Sequence, residues 1–542
     1  MKRFDLIVVG AGPSGLCAAI EAAKYGLDVA VFDENARPGG QLFKQIHKFF
    51  GSKEHGAKLR GINIGEDLLR QAAEAGVDVE LNCVVMGIFP DKEVLVHKED
   101  RTEHYKADTI IVATGASENA VTFDGWTLPG VIGAGAAQMF MNLNGVRPGQ
   151  KVLMVGTGNV GLVVSFQLLQ AGCEVVALVD AAPRVGGYGV HASKLTRTGV
   201  PFYTSHTIMR AEGEDRVTGV VIAEVDSNFQ FIEGTEKHFD VDTICLAVGL
   251  SPQSQLLSMA GCEMVEQGGR IPVIDERCAT TEPGVFAAGD CSGIEEASSA
   301  MIEGRIAAVS AAQYLGYLTE EQADVAFRGH LNALDRLRLG MFAPQNRGKV
   351  FTETDEGIAL SQSLLKNGFV TDEEVDSFGG ITHTQGWHAV IECTQNIPCN
   401  PCQDVCPRSC INVGANITTL PTINSEAECS NCGKCVAFCP GQAIFLVNED
   451  MGDGTAQITI PYEFLPLPEA GTKGVALDRA GVAVCEAEVI AVKNPRSFDH
   501  TALLTMSVPT EYIHQTRFFK TAEDAGVKLG VTAGAACAAK PA

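Results

Sequence analysis

Two short glycine patterns, each directly after an apolar run, constrain the fold of this 542-residue chain most strongly. The run Phe4-Asp-Leu-Ile-Val-Val leads into Gly10-Ala-Gly-Pro-Ser-Gly, and Lys151-Val-Leu-Met-Val leads into Gly156-Thr-Gly-Asn-Val-Gly. Helical residues follow each turn, and the next strand ends in an acid. Strand, glycine turn, helix, strand and acid in that order predict a helix N-terminus that faces a dinucleotide pyrophosphate. We therefore expect an α/β protein with two dinucleotide-binding folds.

Three further segments indicate which nucleotide the first fold binds. Arg37-Pro-Gly-Gly-Gln-Leu resembles the second phosphate-contacting loop of the thioredoxin-reductase-like flavoproteins. Thr109-Ile-Ile-Val-Ala-Thr-Gly resembles their return strand, and Gly284-Val-Phe-Ala-Ala-Gly-Asp resembles the strand whose Asp holds the ribityl chain. The resemblance implies noncovalent FAD. The FAD-contacting residues are expected to be Gly10, Gly12, Pro13, Ser14, Gly15, Asp33, Glu34, Gly40, Gln41, Ala113, Thr114, Gly115, Gly289 and Asp290.

The second fold matches the nucleotide domain that interrupts the FAD domain in this family. Its acid, Asp180, suits a free ribose 2′-hydroxyl, which favours NAD or an adenine nucleotide, while Arg184 leaves NADP open. A degenerate fold, or one that binds a nucleotide without hydride chemistry, is the alternative. The expected contacts are Gly156, Gly158, Asn159, Val160, Gly161 and Asp180.

One departure from thioredoxin reductase bears on electron flow. That enzyme carries a redox Cys-x-x-Cys just before the second glycine pattern, whereas residues 130–138 here contain no cysteine. Electrons from FAD are therefore not expected to leave through a dithiol at this place.

The spacing of the cysteines predicts a different route by which electrons leave FAD. Cys429-x2-Cys432-x2-Cys435-x3-Cys439-Pro is the run by which ferredoxins hold [4Fe–4S] clusters. Cys393-x5-Cys399-x2-Cys402-x3-Cys406-Pro repeats it with a longer first spacer. The fourth cysteine of each run ligates the other cluster in two-cluster ferredoxins. The predicted ligand sets are Cys393, Cys399, Cys402 and Cys439 for one cluster, and Cys429, Cys432, Cys435 and Cys406 for the other. Cys410 in place of Cys393 is the alternative.

Other uses of these cysteines fit the pattern less well. A disulfide framework needs an oxidising compartment and usually a small secreted domain. Structural zinc suits four cysteines, but two zinc sites rarely share this spacing. Two iron–sulfur clusters are the prediction.

Composition limits the partners and the compartment. A formal charge of −25 argues against nucleic acid, because phosphate binding needs a basic face. No apolar run approaches the roughly 18 residues of a membrane span, and the chain opens with a strand and not with a signal peptide. Reduced cysteines and oxygen-sensitive clusters point to the cytoplasm.

The expected architecture is a thioredoxin-reductase-like pair of dinucleotide folds, followed by a ferredoxin-like module and a small β-rich module. The expected divisions are 1–117, first FAD-binding part; 118–251, nucleotide-binding domain; 252–330, second FAD-binding part; 331–389, helical linker; 390–447, ferredoxin-like module with two [4Fe–4S] clusters; 448–510, β-rich module; and 511–542, C-terminal helix and tail.

This order of motifs resembles the α subunits of heteromeric FAD-dependent amine dehydrogenases, which act on proline, hydroxyproline, sarcosine and opines. Those subunits usually carry a four-cysteine [2Fe–2S] segment or none, so eight ligands in ferredoxin spacing depart from the pattern. The resemblance implies a second flavoprotein subunit that carries the substrate site, and an electron-handling role for this chain between that flavin and NAD or an external, ferredoxin-like carrier. No residue is nominated as catalytic.

Two alternatives differ in class. One is a stand-alone NAD(P)H:ferredoxin-type oxidoreductase, although those proteins place their clusters before the FAD domain. The other is a non-catalytic electron-transfer scaffold. His383 and His388 lie just before the first cysteine run. They are candidates to donate hydrogen bonds to a cluster, and core packing is the alternative role.

Overall fold

The computed structural model describes residues 2–266, 269–344 and 361–526, which form two compact units. Within these ranges unit 1 takes residues 2–119 and 249–344, and unit 2 takes residues 120–248 and 361–526. The nucleotide-binding domain was expected at 118–251. The chain enters unit 2 at residue 120, two residues after the expected start, and leaves it after residue 248, three residues before the expected end.

Unit 1 begins with the first predicted strand, turn and helix. The apolar residues Leu6 to Val9 are buried on both faces, as in a parallel sheet that is covered on both sides. The elements up to residue 119 are β1 (Lys2–Val9), α1 (Pro13–Lys24), β2 (Val29–Phe32), α2 (Gly61–Glu74), β3 (Asp78–Glu80), β4 (Cys83–Ile88), β5 (Glu93–Lys98), β6 (Arg101–Val112) and β7 (Ala116–Glu118).

Unit 2 begins with the second dinucleotide fold. Its elements up to residue 248 are β8 (Val131–Gly133), α3 (Ala134–Gln138), β9 (Lys151–Val155), α4 (Asn159–Gln170), β10 (Glu174–Asp180), α5 (Gly189–Thr196), β11 (Phe202–Thr204), β12 (His206–Glu212), β13 (Gly219–Glu224), β14 (Lys237–Phe239) and β15 (Thr243–Leu246). The parallel sheet has the order β11-β10-β9-β15-β8, and β12-β13-β14 form an antiparallel sheet of their own.

The chain then completes unit 1 with β16 (Leu250–Pro252), α6 (Gln255–Met259), β17 (Met264–Glu266), β18 (Arg270–Pro272), β19 (Val285–Ala287), α7 (Ala297–Tyr314) and α8 (Glu320–Leu337). The sheet has the order β3-β2-β1-β6-β5-β4, and β19 also pairs with β6 in parallel. Gly304 allows α7 to approach α1 closely, since a Cβ there would lie 2.1 Å from the Ser14 carbonyl oxygen. The predicted α/β pair of FAD- and NAD-type folds is confirmed.

The second stretch of unit 2 contains the cysteine runs and an extended antiparallel sheet. Its elements are α9 (Gln362–Asn367), α10 (Asp372–Val375), β20 (His388–Ile391), α11 (Pro401–Val405), β21 (Ile411–Asn412), β22 (Thr422–Ile423), α12 (Lys434–Phe438), β23 (Ile444–Asn448), β24 (Thr455–Tyr462), β25 (Lys473–Leu477), β26 (Ala483–Lys493), β27 (Ala502–Pro509) and β28 (Phe518–Thr521). The seven strands of the sheet follow the order β20-β23-β24-β27-β26-β25-β28.

This sheet corrects two of the expected divisions. Strands from the expected ferredoxin-like module (390–447) and from the expected β-rich module (448–510) pair directly, since Leu446 lies opposite Thr459. They are one structure because the apolar faces of both sets of strands fill a single core.

The C-terminal helix expected within 511–542 is absent from the described part of that range. Residues 518–521 form β28, which pairs with β25, because strand pairing buries both Phe518 and Phe519. Residues 527–542, expected as a tail, and residues 345–360 of the expected linker lie outside the described residues. The linker's described part holds the end of α8, the short helices α9 and α10, and the first residues of β20.

No helix in the described ranges combines the length and the apolar character that crossing a membrane requires.

Candidate functional site

The first glycine turn leaves open space in front of α1. A Cβ on Gly10 would lie 2.5 Å from the Ala113 carbonyl oxygen, and a Cβ on Gly15 would lie 1.8 Å from the Gly10 carbonyl oxygen. These two glycines therefore permit close backbone packing. A Cβ on Gly12 would meet no atom within 4 Å. Open space at a helix N-terminus, with Pro13 as the first helical residue, is where a dinucleotide pyrophosphate binds.

A buried hydroxyl in the same turn lacks a protein partner. Ser14 is 5% exposed, and its Oγ makes no hydrogen bond. Gly289 lies beside it, with a Cβ position 3.1 Å from the Ser14 Cβ. Burying an unpaired hydroxyl costs about 1–3 kcal/mol, so a ligand atom here would remove a penalty. The residues of the turn fit FAD on this observation.

The acid at the end of β2 is tied to the turn. The Ala11 amide donates to Asp33 Oδ2 at 2.6 Å, and the amide and side-chain nitrogens of Asn35 each donate to Asp33 Oδ1 at 2.8 Å. Glu34 is exposed. Asp33 thus links the end of β2 to the glycine turn. The carboxylate of Glu34, beside it in sequence, is open to solvent.

The other predicted FAD segments meet this turn. The Gly39 amide donates to the Ala11 carbonyl at 2.7 Å, and a Cβ on Gly40 would lie 2.9 Å from the Gly12 Cα. The Ala113 amide donates to the Val9 carbonyl at 2.8 Å. Gln41 is exposed, and Gly115 has a positive φ of 72° with open space beside it.

Three hydrogen bonds fix the remaining predicted FAD segments. Thr114 Oγ1 donates to the Gln253 carbonyl at 2.6 Å, and the Gly289 amide donates to Glu303 Oε2 at 2.8 Å. The Glu295 amide donates to Asp290 Oδ1 at 3.2 Å. The structure therefore brings the predicted FAD residues to one edge of the parallel sheet.

The second glycine turn repeats the geometry of the first. A Cβ on Gly156 would lie 2.2 Å from the Ala247 carbonyl oxygen, a Cβ on Gly161 would lie 2.1 Å from the Gly156 carbonyl oxygen, and a Cβ on Gly158 would meet nothing within 4 Å. Helix α4 begins at Asn159, and Val160 is 41% exposed in its first turn. The open space therefore lies at this helix N-terminus too.

Asp180 occupies the place of Asp33. Its Oδ2 accepts from the Thr157 amide at 2.7 Å and from Thr157 Oγ1 at 2.6 Å, and its Oδ1 accepts from the Ala182 amide at 2.9 Å. Arg184 is exposed nearby in sequence.

A loop that the sequence reasoning missed completes the second site. The Gly187 amide donates to the Thr157 carbonyl at 2.9 Å, as the Gly39 amide does to Ala11 in the first site. The Tyr188 amide donates to Asn159 Oδ1 at 2.8 Å. The signal was available, because Arg184-Val-Gly-Gly repeats the spacing of Arg37-Pro-Gly-Gly.

The two cysteine runs fold as structural repeats. Helices α11 and α12 each carry the third cysteine of a run and end at the fourth, Cys406 or Cys439. The Cys410 amide donates to Cys406 Sγ at 3.2 Å, and the Ala443 amide donates to Cys439 Sγ at 3.4 Å. Equal spacing in sequence thus gives equal local geometry.

The thiols fall into two neighbouring sets that cross the runs. Burial and then the charge of Cys439 raise the pKa of Cys393 to about 12, and burial, Cys439 and Cys393 raise the pKa of Cys402. Cys399 lies three residues before Cys402 in the loop that leads into α11. Cys439 of the second run therefore lies with the first-run cysteines.

The second set contains a first-run cysteine in the same way. Burial and the charges of Cys429, Cys432 and Cys406 raise the pKa of Cys435. Burial and Cys406 raise the pKa of Cys410 to about 11, so Cys410 lies in this set and not beside Cys393. The charge of Cys402 raises the pKa of Cys435 as well, so the two sets adjoin each other. The assignment of each set to a cluster stays a prediction.

The sulfur spacing bears on which metal these sets fit. Sulfurs around a single tetrahedral zinc, with Zn–S bonds of about 2.3 Å, lie about 3.8 Å apart. Among the described residues, no three cysteine sulfurs lie mutually within 4.8 Å. By this distance, the described cysteine sulfurs do not form the compact group that a single zinc ion binds.

Charged side chains surround the first set. Glu392 accepts from Arg479 Nη2 and from Arg517 Nε, each at 2.6 Å. Burial opposes ionisation, yet Arg517 and Arg479 lower the pKa of Glu392 to about 2. Burial lowers the pKa of Arg197 to about 10, while Glu392 and Cys439 act to raise it. A buried positive charge therefore lies near Cys439.

Both ends of helix α5 of the second dinucleotide fold make a hydrogen bond to the cysteine-containing region. The Gly189 amide at its start donates to Gln395 Oε1 at 2.6 Å. Arg197 Nη1, just after its end, donates to the Gln442 carbonyl at 2.9 Å. Gln395 follows Cys393 and Gln442 follows Cys439, so both ends of α5 contact loops of the first sulfur set.

The described cysteines outside the runs form no disulfide. The segment at residues 130–138, where a redox dithiol was sought, forms β8 and the short helix α3.

Residues 4–314 match the family described as Pyridine nucleotide-disulphide oxidoreductase. An opine oxidase subunit of Agrobacterium tumefaciens (strain Ach5) is 29% identical over 358 residues, which span 62% of this chain and 71% of that protein. The hydrogen cyanide synthase subunit HcnB of Pseudomonas aeruginosa is 27% identical over 366 residues, spanning 63% and 78%. The sarcosine oxidase α subunit of Corynebacterium sp. (strain P-1) is 25% identical over 331 residues, spanning 58% and 33%.

Two solved structures resemble the chain. L-proline dehydrogenase from P. horikoshii gives a TM-score of 0.47 with 23% identity, covering 61% of this chain and 59% of that chain. Thioredoxin reductase from T. acidophilum gives a TM-score of 0.48 with 23% identity, covering 58% of this chain and 99% of that chain.

Proposed function

Because the chain belongs to the pyridine nucleotide-disulphide oxidoreductase family, it is an FAD-dependent oxidoreductase, and we propose that it is the electron-transferring subunit of a heteromeric dehydrogenase. A partner flavoprotein oxidises an amine or imino-acid substrate. This chain passes the electrons between the partner's flavin and NAD or an external carrier. The cross-grouped cysteine repeats carry the proposal, since such an arrangement has no use in a dithiol reductase.

The chain's own residues would hold each group. Gly12, the orphaned Ser14 hydroxyl and Asp290 would hold FAD, with Glu34 or Asp33 on the ribose. Cys393, Cys399, Cys402 and Cys439 would hold one [4Fe–4S] cluster, and Cys406, Cys429, Cys432 and Cys435 the other. When bound, FAD exchanges electrons singly or in pairs and each cluster exchanges them singly.

The second glycine turn supports a nucleotide at unit 2. Gly158 leaves the same open space as Gly12, and Asp180 is the acid that suits a free 2′-hydroxyl. Because α5 contacts both this site's glycine loop and the first sulfur set, a nucleotide bound there would lie beside one cluster. NAD(H) is the proposed occupant.

The names of the relatives support a partner protein, since each relative is one subunit of a larger enzyme. The opine and sarcosine oxidases among them support an amine or imino-acid substrate for the proposed partner. In this arrangement the chain needs no catalytic base of its own.

The test separates the two routes by which electrons reach the FAD. The chain is purified from its source with whatever flavoprotein accompanies it, and reduction of its FAD is followed by stopped flow. One reaction uses NADH, and the other uses the partner with its amine substrate. Cys432→Ala should preserve the first reaction and abolish the second, while Cys485→Ala, a buried cysteine outside the runs, should change neither.

Wild-type rates in both reactions of Cys432→Ala would exclude electron transfer through the cysteine sets. A chain that purifies alone and reduces ferredoxin with NAD(P)H would instead support the stand-alone oxidoreductase.

A further inference from the structure

Three segments of unit 2 meet at a group of histidines that the proposed function does not use. His383 lies before β20, Glu449 follows β23, and His514 lies between β27 and β28. Their donor atoms all lie within 4.8 Å of one another. His383 Nδ1 is 2.9 Å from Glu449 Oε1, and the His383 and His514 rings are 4.7 Å apart, edge to face.

A fourth side chain points at the same carboxylate. His388 Nε2 is 3.5 Å from Glu449 Oε1, its side chain is 7% exposed, and Nε2 makes no hydrogen bond. His388 Nδ1 is 3.0 Å from the Gly386 carbonyl, so Nδ1 donates to it, and Nε2 of the neutral ring presents a lone pair. A buried lone pair facing a carboxylate oxygen is unfavourable, and a cation bound between the two atoms would remove the repulsion.

We propose that His383, His388, Glu449 and His514 form a site for a divalent transition-metal ion, with Zn²⁺ as the reference ion. Imidazole nitrogens and a carboxylate oxygen bind zinc at about 2.0–2.2 Å, which places tetrahedral donors about 3.4 Å apart. The hydrogen bond from His388 Nδ1 to a backbone carbonyl is the arrangement that orients metal-binding histidines.

The surrounding charges favour a cation. His383 Nε2 is 3.8 Å from Asp376 Oδ1, so a second carboxylate faces the ring from the side away from Glu449. Arg517 is the opposing charge near His514, and its guanidinium is engaged by Glu392 at 2.6 Å.

The site is distinct from the cysteine sets. His388 pairs with Val447 at one end of the β20–β23 ladder, and Ile391 pairs with Ile444 at the other. Cys393 and Cys439 flank the second end. At about 3.3 Å per residue, the histidine site lies about 15 Å away. A metal there would tie the segments on either side of the cysteine runs to the last strands of the sheet.

The test titrates Zn²⁺ alone into the iron-loaded full chain after dialysis against EDTA. We expect about one tightly bound Zn²⁺ per chain, with X-ray absorption at the zinc edge showing nitrogen and oxygen at about 2.0–2.2 Å and no sulfur at about 2.3 Å. His383→Gln, His514→Gln and Glu449→Gln should each weaken binding at least about tenfold. His104→Gln is the matched control, because His104 is exposed and lies 2.7 Å from Glu93 as His383 lies near Glu449.

Wild-type affinity in the His383 and His514 variants, sulfur in the zinc shell of the tight equivalent, or no zinc bound would each overturn the site. Iron and sulfide content is measured on the same samples and should not change in the histidine variants. If the chain carries no clusters, its cysteines would bind further zinc equivalents through sulfur. The histidine variants would not remove those equivalents. Failure of the cluster proposal can therefore be told apart from failure of the histidine site.

Discussion

Arg197 donates from its Nη1 to the carbonyl of Gln442 at 2.9 Å, three residues after the last cysteine of the second run. Arg197 follows a helix of the second dinucleotide fold, and it is 5% exposed. It therefore brings a buried positive charge from the second dinucleotide fold to the loop that follows Cys439. Phe445 packs against its guanidinium at 5.4 Å from the ring centroid.

This arrangement predicts a change in reduction potential. Reducing a cluster adds a negative charge, which a buried guanidinium stabilises, so Arg197→Gln should lower the potential of the cluster at Cys393 and Cys439. A loss of about 1–2 kcal/mol corresponds to roughly 40–80 mV for a one-electron couple. Redox titration followed by electron paramagnetic resonance measures the change.

Arg197→Lys keeps the charge and should recover most of the potential. Arg216→Gln removes an exposed arginine from the same fold and should leave it unchanged. An unchanged potential in Arg197→Gln, with full iron content, would contradict the prediction.

The choice between Cys393 and Cys410 as ligand is open to a direct comparison. Cys410 lies near Cys406, Cys429 and Cys432, which with Cys435 already supply four ligands to the second proposed cluster. Cys393→Ala should therefore reduce the iron content from about eight to about four per chain, while Cys410→Ala should retain about eight. Anaerobic iron and sulfide analysis of the two variants distinguishes the two ligand assignments. Cys485→Ala is the control and should retain about eight irons. The reverse result would assign Cys410 to the first cluster.

Glu21 in α1 predicts a pH dependence of stability in unit 1. Its side chain is 9% exposed and accepts from Lys24 Nζ and the Tyr25 hydroxyl, each at 2.8 Å. Burial opposes ionisation, yet His330, Lys24 and Tyr25 lower the pKa of Glu21 to about 2. A depressed folded-state pKa stabilises the fold fully above the unfolded value near 4.5 and loses that effect as the pH falls toward 2.

Glu21→Gln should therefore destabilise the protein by about 2 kcal/mol at pH 7, after allowance for partial solvent access, and by about half of that or less at pH 3. Thermal unfolding of variant and wild type across this range measures the difference. Glu74→Gln, an exposed glutamate in α2, should show little difference at either pH. A constant difference for Glu21→Gln would assign its effect to packing.

The sequence was sufficient where the chemistry lies in short segments. Both glycine turns and both cysteine runs fold locally, so their spacing predicts which glycines pack and which leave space. Arg197 and Gln395 were missed because their role depends on contacts with residues about 200 positions away. No local pattern signals such a pairing.

The predictions for the C-terminal part were wrong for the same reason, because they too depend on contacts between distant residues. The predicted helix after residue 511 is replaced by β28, since Phe518 and Phe519 are buried by pairing with β25. The two modules expected on either side of residue 447 share a sheet because β23 pairs with β24 across that boundary. Strand partners are a tertiary property, which local propensity does not determine.

The parallel between the two glycine turns gives the last prediction. Gly12 and Gly158 are the positions where an added side chain meets no protein atom, so Gly12→Val and Gly158→Val should fold and should fill only the space intended for a ligand. Gly12→Val should purify without FAD. Gly158→Val should keep FAD and lose NADH binding, measured by calorimetry. Gly329→Val changes an exposed glycine of α8 with the same open space and should affect neither ligand. Full flavin in Gly12→Val would refute the FAD site, and unchanged NADH affinity in Gly158→Val would show that NADH binds elsewhere.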